Sequence, residues 1–531
     1  MAAIFPEAAT AGFRAGTARY ALLLDCMEFR VVNGFVYTCA RGVGAPKGAK
    51  GPPPKFIFKA LLRLHPEMRR RVRLADEVFA NKSWRAEVET WDRDEKPAVA
   101  RENESMQRVD ASALATDALI AHLEACRALV TRSITRHHRL NPVALIPLGD
   151  FLSHVRSWTS LSPSDVLPLF CGASAVSRGA ESELQQVVRD FEGRPDLERH
   201  LADPDGRRVL ELLSADDRAG AAVRRYVDAV GIRVTSGYDV ADVSMGEMPE
   251  LIVDTIRAAV AAGTIVPRDT LAFDTAKIRD LVPPKHHTEF DELLAEARAT
   301  YRIRDERAYL NDAWSIGIAR RALLAAGQRL EKNGRLQSAV HVFDLEPSEL
   351  QSALSGGASP APDFIAAWHD HRTTKTVADA PAVLGFPPAG PPPADWLPAG
   401  AARLQRAIDI VLTEMFAKRD PSPRGAVING IAASPGDVTG RARLVLKPSD
   451  MARVQTGEVL ITRATSPAYN ALLPLIRGVV TDRGGSLSHA AVVAREYGIP
   501  AVVGCGNATE LIPDGATVRI DGTTGTVHLV S

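Results

Sequence analysis

The chain has 531 residues, 46% of them hydrophobic and 24% charged, and Lys plus Arg equals Asp plus Glu at 64 each. A length of this order carries about three or four domain-sized units with sizeable cores. The balanced charge provides no overall field toward nucleic acid or a membrane surface.

Near the start, Tyr20-Ala21-Leu22-Leu23-Leu24 is too short for a signal peptide or a membrane span and runs straight into Asp25. Five scattered cysteines, Cys26, Cys39, Cys126, Cys171 and Cys505, form no CxxC pair, so neither a zinc site nor a disulfide framework is indicated. A cytoplasmic location is expected. From about residue 55 to 380 the apolar period is mostly helical, which predicts a large α-rich body. Its first stretch, Lys55 to Arg73, interleaves Lys59, Arg63, Arg69, Arg70, Arg71 and Arg73 with Phe56, Phe58, Leu61, Leu62 and Leu64. It reads as a solvated helix face, with a partner or phosphate surface as the alternative.

The pairs His137-His138 and His286-His287, and the run Trp368-His369-Asp370-His371, lack companion ligands at metal spacing, and no metal site is assigned. Arg233 and Asp239 read as an internal ion pair, or as a charge-screening cation beside a general base. Arg304 and Arg307 carry the same two readings. From Ala308 to Leu330, the pattern buries Leu310, Trp314, Ile318, Leu323 and Leu330 and leaves Arg320, Arg321 and Arg329 to solvent.

Between Pro381 and Pro398 the proline density excludes a helix or a central strand. A helical stripe of Leu404, Ile408, Val411, Leu412 and Met415 follows, and then a second break, Arg419-Asp420-Pro421-Ser422-Pro423-Arg424-Gly425. About eight extended residues span up to roughly 26 Å, enough to tether a domain that moves between two stations. The predicted organisation is an α-rich domain over 1–380, a Pro-rich linker, connecting helix and hinge over 381–426, and a small α/β domain over 427–531. The fold class is therefore α+β multidomain.

In the last domain, the β-branched run up to Thr481-Asp482 predicts a strand, and Gly484-Gly485 permits a tight turn with positive φ. Ser488 is the N-cap of a helix whose apolar residues Ala490, Ala491, Val493, Ala494 and Tyr497 recur at helical spacing until Gly498 and Pro500. His489 then stands in the first turn. Free N–H groups and the positive end of the dipole favour an anion there and disfavour an imidazolium. A neutral ring nitrogen at this place is a usable nucleophile near pH 7.

The stretch from Gly484-Gly485 through Ser488-His489-Ala490-Ala491 to Gly498-Ile499-Pro500-Ala501-Val502-Val503-Gly504 resembles the phosphohistidine swivelling domain of the PEP-utilising enzymes. That family includes PEP synthase, pyruvate phosphate dikinase, rifampicin phosphotransferase and phenylphosphate synthase. The likeness extends to Gly430-Ile431-Ala432-Ala433-Ser434-Pro435-Gly436, Gly506-Asn507-Ala508-Thr509 and Asp521-Gly522-Thr523-Thr524-Gly525, about a hundred residues in all. It implies that His489 carries a phosphoryl group, supported by Gly484, Gly485, Ser488 and Ala490. Leu487 stands where the synthases and dikinases have a regulatory threonine, so that control is expected to be absent.

More diffusely, Gly231 to Asp239 with Glu247-Met248-Pro249, Arg304 to Arg307, Ala322 to Gly327 and Val342 to Leu345 are similar to the central domain of rifampicin phosphotransferases. Gly237 takes the place of a family glutamate. The resemblance implies ATP with Mg²⁺ as donor system, AMP and phosphate as by-products, and a hydroxylated small-molecule acceptor bound by the 1–380 domain, with Arg233, Asp239, Arg304 and Arg307 as its candidate site, Arg233 screening phosphoryl charge and Asp239 acting as base. Neither an ATP-grasp unit nor a Gly-x-x-x-x-Gly-Lys-Ser/Thr loop occurs in the sequence, so a separate ATP-grasp subunit is expected, with Mg²⁺ bound there. The alternative is a phosphohistidine carrier or regulatory module without turnover of its own.

Overall fold

The computed structural model describes all residues except 1–3, 47, 50, 175, 177–179, 236–237, 264–274, 377–378, 386–389, 418, 424, 426 and 531. It divides into two compact units. The first comprises Met1–Ile146, Tyr238–Ala241 and Arg307–Arg406, and the second Pro147–Gly237, Asp242–Glu306 and Ala407–Ser531. No helix among the described residues is long and apolar enough to cross a membrane. The architecture is α+β, with an extended helical region and a C-terminal sheet domain.

Among its described residues the first unit is helical except for one hairpin, β1 (Leu24–Val32) and β2 (Phe35–Gly42), antiparallel with Val32 opposite Phe35. Asn33 and Gly34 link the strands with φ of 50° and 83°. Two central residues with positive φ match the right-handed twist of the flanking strands. Helix Phe5–Arg19 packs on this hairpin and on helix Thr116–Arg139.

The expected solvent position of Arg320 is corrected. It is fully buried, its Nη1 donates to the Val240 carbonyl at 2.8 Å, and its guanidinium lies 4.8 Å from the Phe343 ring centroid. A buried guanidinium is tolerated because partners occupy its donors. Trp314 and Leu323 are only half-buried on the same helix, Trp314–Lys332. The stripe on helix Ala399–Phe416 is also shifted: Ala401, Leu404, Ala407 and Val411 are buried while Leu412 is exposed. Leu404 and Val411 thus hold the expected stripe, Ile408 and Met415 are half-buried, and Leu412 turns outward because the small Ala407 brings the helix backbone close to its neighbour at Gly149. Arg71, in the basic stretch, is buried as well and bonds Glu67 and the carbonyls of Leu22 and Leu24.

In the second unit, helices Glu181–Phe191, Gly206–Ala215, Gly220–Gly231 and Pro249–Ala262 share one apolar cluster. The sheet contains β3 (Ile428–Asn429), β4 (Ile431–Ser434), β5 (Asp437–Val445), β6 (Val459–Thr462), β7 (Gly478–Thr481), β8 (Ala501–Val503), β9 (Thr517–Asp521) and β10 (Thr526–Leu529). The strand order is β3-β10-β9-β5-β6-β7-β8-β4, with a parallel centre of β5, β6, β7 and β8 between antiparallel flanks.

Alternate residues along the central strands feed two cores. Leu460, Val479, Ala501 and Val503 face helix His489–Glu496 together with Met245, Met248 and Leu251 of the helical segment. Ile461, Val480 and Val502 face Ala508 and Ile512 on the other side. Burying each such side chain is worth about 1.5–3 kcal/mol. Both faces of the central strands are therefore fixed, which pins the loops at their carboxyl ends.

Candidate functional site

Ligands in open α/β sheets settle outside the carboxyl ends of parallel strands. Here β6 and β7 are adjacent and parallel. The segment after β6 supplies Thr465, and the segment after β7 supplies His489. Helix His489–Glu496 begins where Ser488, extended at φ −67° and ψ 161°, accepts from the Ala491 N–H. Ala490 is buried in the adjoining core, so the first turn cannot drift.

The preceding loop is held on both sides. Gly484 has φ 103°, and a Cβ there would lie 2.6 Å from the Ser488 Cβ. A Cβ on Gly485 would meet the Glu414 carbonyl oxygen at 2.1 Å. That close approach lets Gly485 N donate to Met415 O at 3.1 Å and Leu487 N to Glu414 O at 3.0 Å. Ser486 Oγ donates to the Glu414 carboxylate. Beneath the loop, Arg495 donates to Ala433 O at 2.9 Å and to Ser486 O at 2.8 Å.

His489 sits at the rim of this assembly, part-buried by accessible surface but densely surrounded. Its Nδ1 is 2.8 Å from Thr465 Oγ1. The tautomer that donates Nδ1–H to that hydroxyl leaves Nε2 with the in-plane lone pair. Burial lowers the pKa to about 4; Asp305 opposes the shift, and Arg304 and Arg233 reinforce it. The ring is neutral at pH 7, as the helix-start position requires.

Two of the four acceptor-site residues expected from the sequence come to this histidine. Arg304 donates through Nη1 to Leu487 O at 3.0 Å, lies 5.2 Å from the Tyr301 ring centroid and pairs with Asp305 at 3.2 Å. Arg233 is buried, with its Nε donating to Ala229 O at 3.1 Å, and also lines a small cavity of ≈ 20 Å³, room for about one water, with Tyr226, Thr255, Pro474 and Tyr497. Asp239 and Arg307 fall in the first unit. Asp239 is exposed and accepts from Ala241 N at 3.0 Å. Arg307 is buried, donating to His137 O at 2.7 Å and to the Asn141 side chain. Gly237 lies outside the described residues.

Thr465 and Asp305 were not among the residues expected from the sequence. Thr465 lies 24 residues before His489 in the chain and reaches it only through the parallel pairing of β6 with β7. The helical segment meets the sheet domain through further bonds: Ser466 Oγ to Thr235 O, Thr255 Oγ1 to Ala471 O at 2.9 Å, and Gly172 N to the Glu496 carboxylate at 3.0 and 3.1 Å.

Among the described residues, no three or more His, Cys, Asp and Glu side chains group so as to hold a metal ion. The histidine pairs have other partners. His137 faces Asp312, His286 stacks on Trp158 at 4.7 Å, His369 pairs with Asp344 at 2.6 Å, and His371 stacks on Trp368 at 5.6 Å.

Residues 454–525 match the family described as PEP-utilising enzyme, mobile domain. An uncharacterized phosphotransferase, YvkC, of Bacillus subtilis is 31% identical over 257 residues, 48% of this chain and 29% of that protein. A rifampicin phosphotransferase of a Streptomyces species is 31% identical over 323 residues, 58% of this chain and 34% of that protein. An uncharacterized protein of Mycobacterium tuberculosis is 26% identical over 437 residues, 78% of this chain and 45% of that protein. The chain thus spans less than half the length of these relatives. Residues 454–525, which include His489, form a PEP-utilising enzyme mobile domain, and the chain that carries them is similar to named phosphotransferases.

Proposed function

We propose that the chain is a phosphotransferase in which His489 is transiently phosphorylated and passes the group to a hydroxyl of a small-molecule acceptor. The observation that carries this reading is the setting of His489. It is a neutral imidazole at a helix start, with Nδ1 on Thr465 and the arginines of the helical segment, Arg304 and Arg233, close by.

In the first half-reaction, the Nε2 lone pair attacks phosphorus and the bond from phosphorus to the donor's leaving oxygen breaks. The new charge meets the N–H groups of the first turn and the two guanidinium groups. In the second, the acceptor oxygen attacks phosphorus and the N–P bond breaks. The hydroxyl proton leaves to water, and Nε2 regains its lone pair with the ring proton still on Nδ1. Splitting the transfer lets donor and acceptor occupy different sites.

The family likeness favours ATP as ultimate donor, delivered by a separate ATP-grasp subunit. Mg²⁺ in this reading accompanies the nucleotide's phosphates. The residues around His489 include no ligand cluster for it, and no step above depends on one.

The test treats the full chain with potassium phosphoramidate, a small-molecule phosphoryl donor, and maps acid-labile phosphate by mass spectrometry. His489 is the expected carrier. Label elsewhere, or label unchanged in His489→Ala, would overturn the assignment. Discharge of the labelled chain into candidate alcohols and phenols, read as phosphorylated product, separates an enzyme from a carrier that only stores phosphate. For the donor, labelled ATP should label the chain only when an ATP-grasp protein is added, and efficient labelling without it would sink the separate subunit.

A further inference from the structure

Helix Lys55–Leu64 turns only Phe58 and Leu62 into the core. Its outward face is apolar, with Phe56 75% and Leu64 78% exposed and Ile57, Ala60 and Leu61 beside them. Lys55, Lys59 and Arg63 recur every four residues along one edge of that face, and the helix has no acidic residue. Lys55 already pairs with Asp395 at 3.0 Å, which leaves Lys59 and Arg63 to define the edge.

Helix Pro362–Thr374 has the opposite character. Ile365 is its buried residue, while Phe364 (67% exposed) and Trp368 (44%) point outward with Ala367 and His371. Asp363 and Asp370, two turns apart and both exposed, run along one edge. Contiguous exposed apolar faces of this kind mark interfaces.

Both faces belong to the first unit, at opposite ends of the β1–β2 hairpin. Leu23 and Val43 at its base pack with Phe58 and Leu62. Gly34 at its tip approaches Arg372, with a built Cβ 3.8 Å from the Arg372 Cγ. A hairpin of eight or nine residues per strand is roughly 27–30 Å long, so one copy cannot cover its own basic face with its own acidic one. Viewed with the apolar face forward and the N-terminus up, both charged edges lie on the same side. An antiparallel pairing therefore sets Lys59 and Arg63 against Asp363 and Asp370.

We propose that these faces pair between two copies of the chain related by a two-fold axis, each basic helix covering the acidic helix of the other copy. The contact occurs twice per dimer, as a closed isologous assembly requires. Aromatic anchors with a charged edge are the composition expected of such an interface.

The experiment is light scattering on the eluting full chain at about 5–100 μM. The expected mass is twice 57.1 kDa. Lys59→Glu/Arg63→Glu and Asp363→Lys/Asp370→Lys each place like charges in both contacts and should run as monomers that still unfold in one cooperative thermal transition, lowered slightly where Asp363 gives up its bond from Gln337 and Arg63 its place in the last turn of its helix. Mixing the two variants makes both contacts attractive again and should restore the double mass. A parent chain that runs at single mass overturns the proposal, whether or not it sediments with phosphatidylglycerol vesicles. So does a dimer that survives either charge reversal, or a failure of the mixture to reassociate.

Discussion

Two histidines in dense surroundings, His489 in the second unit and His137 in the first, carry the same local signature. Burial lowers the pKa of each, and an arginine adds to the effect in both cases, Arg304 at one and Arg307 at the other. Their settings are otherwise opposite. His489 opens a helix, keeps part of its ring accessible and offers Nδ1 to a hydroxyl. His137 is in the last turn of helix Thr116–Arg139, lies edge-on to His138 at 4.8 Å, and has Nδ1 2.7 Å from Asp312, whose carboxyl burial pushes up to about 7.

A helix C-terminus favours an imidazolium by about 0.3–1 kcal/mol. The direction of the His137 shift shows that desolvation outweighs this. A shifted pKa therefore does not identify a site. What separates the two is a ring nitrogen left open beside donors for an anion.

The largest expected difference comes from removing each ring. His489→Ala should abolish phosphoryl labelling, by at least about a thousandfold or about 4 kcal/mol of barrier, with little change in Tm. His137→Ala leaves the buried Asp312 carboxyl without its partner and should cost about 3 kcal/mol of stability while labelling survives below the new transition. Phosphoramidate labelling and thermal denaturation on both variants decide it. Loss of labelling in both with unchanged Tm would erase the contrast.

Next in size is the loop that presents His489. Gly485→Ala puts a methyl where the Glu414 carbonyl stands at 2.1 Å, backbone that cannot rotate aside. Overpacking of this sort costs about 1–3 kcal/mol. The expected outcome is a lower Tm with slower labelling, since the loop must lift off the end of helix Ala399–Phe416. A neutral Tm would mean that the loop is not seated there.

The pH dependence gives a subtler separation. With a folded pKa of about 4, His489 stays neutral well below the ordinary value of 6.5. Labelling should hold level from pH 8 to about 5.5 and fall toward pH 4. The unfolded chain takes up this proton near 6.5 and the folded chain only near 4, so this group lowers stability progressively as pH falls through that window. Asp312 works in the other sense. Its folded pKa of about 7 lies above the ordinary 3.8, so its contribution is complete below 3.8 and lost as pH rises toward 7. Arg304→Ala should shift the labelling profile toward higher pH, and a profile centred at 6.5 in the parent would contradict the packing around the ring.

Much of the second unit was legible from local chemistry. Gly484-Gly485 and Ser488 define a turn and a cap within a few residues, and the β-branched runs announce strands. The hairpin of the first unit is less legible: Asn33-Gly34 marks its turn, but Asp25, Glu28 and Arg30 in β1 blur the alternation. Arg320 and Leu412 went to the wrong side for a reason no single helix contains, since the facing backbone decides how deep each residue sits. Thr465 is the extreme case. It meets His489 across 24 residues, and only the parallel pairing of β6 with β7 makes them neighbours.

That contact supplies the smallest and most specific effect. Thr465→Val keeps the volume and removes the oxygen, so Nδ1 loses a hydrogen bond worth about 1 kcal/mol and the ring loses its fixed tautomer. Labelling should slow by about tenfold or less, with Tm nearly unchanged. Nitrogen NMR should show the Nε2–H form gaining population, and some phosphate should appear on Nδ1, which the threonine otherwise occupies. Thr465→Ser, which returns the hydroxyl, should restore both the tautomer and the labelled position, a recovery that simple repacking would not produce. If the valine variant labels Nε2 at the parental rate with the same tautomer, the helix start and the arginines suffice. His489 would then differ from His137 through its helix end and its open ring nitrogen, with no share for the hydroxyl.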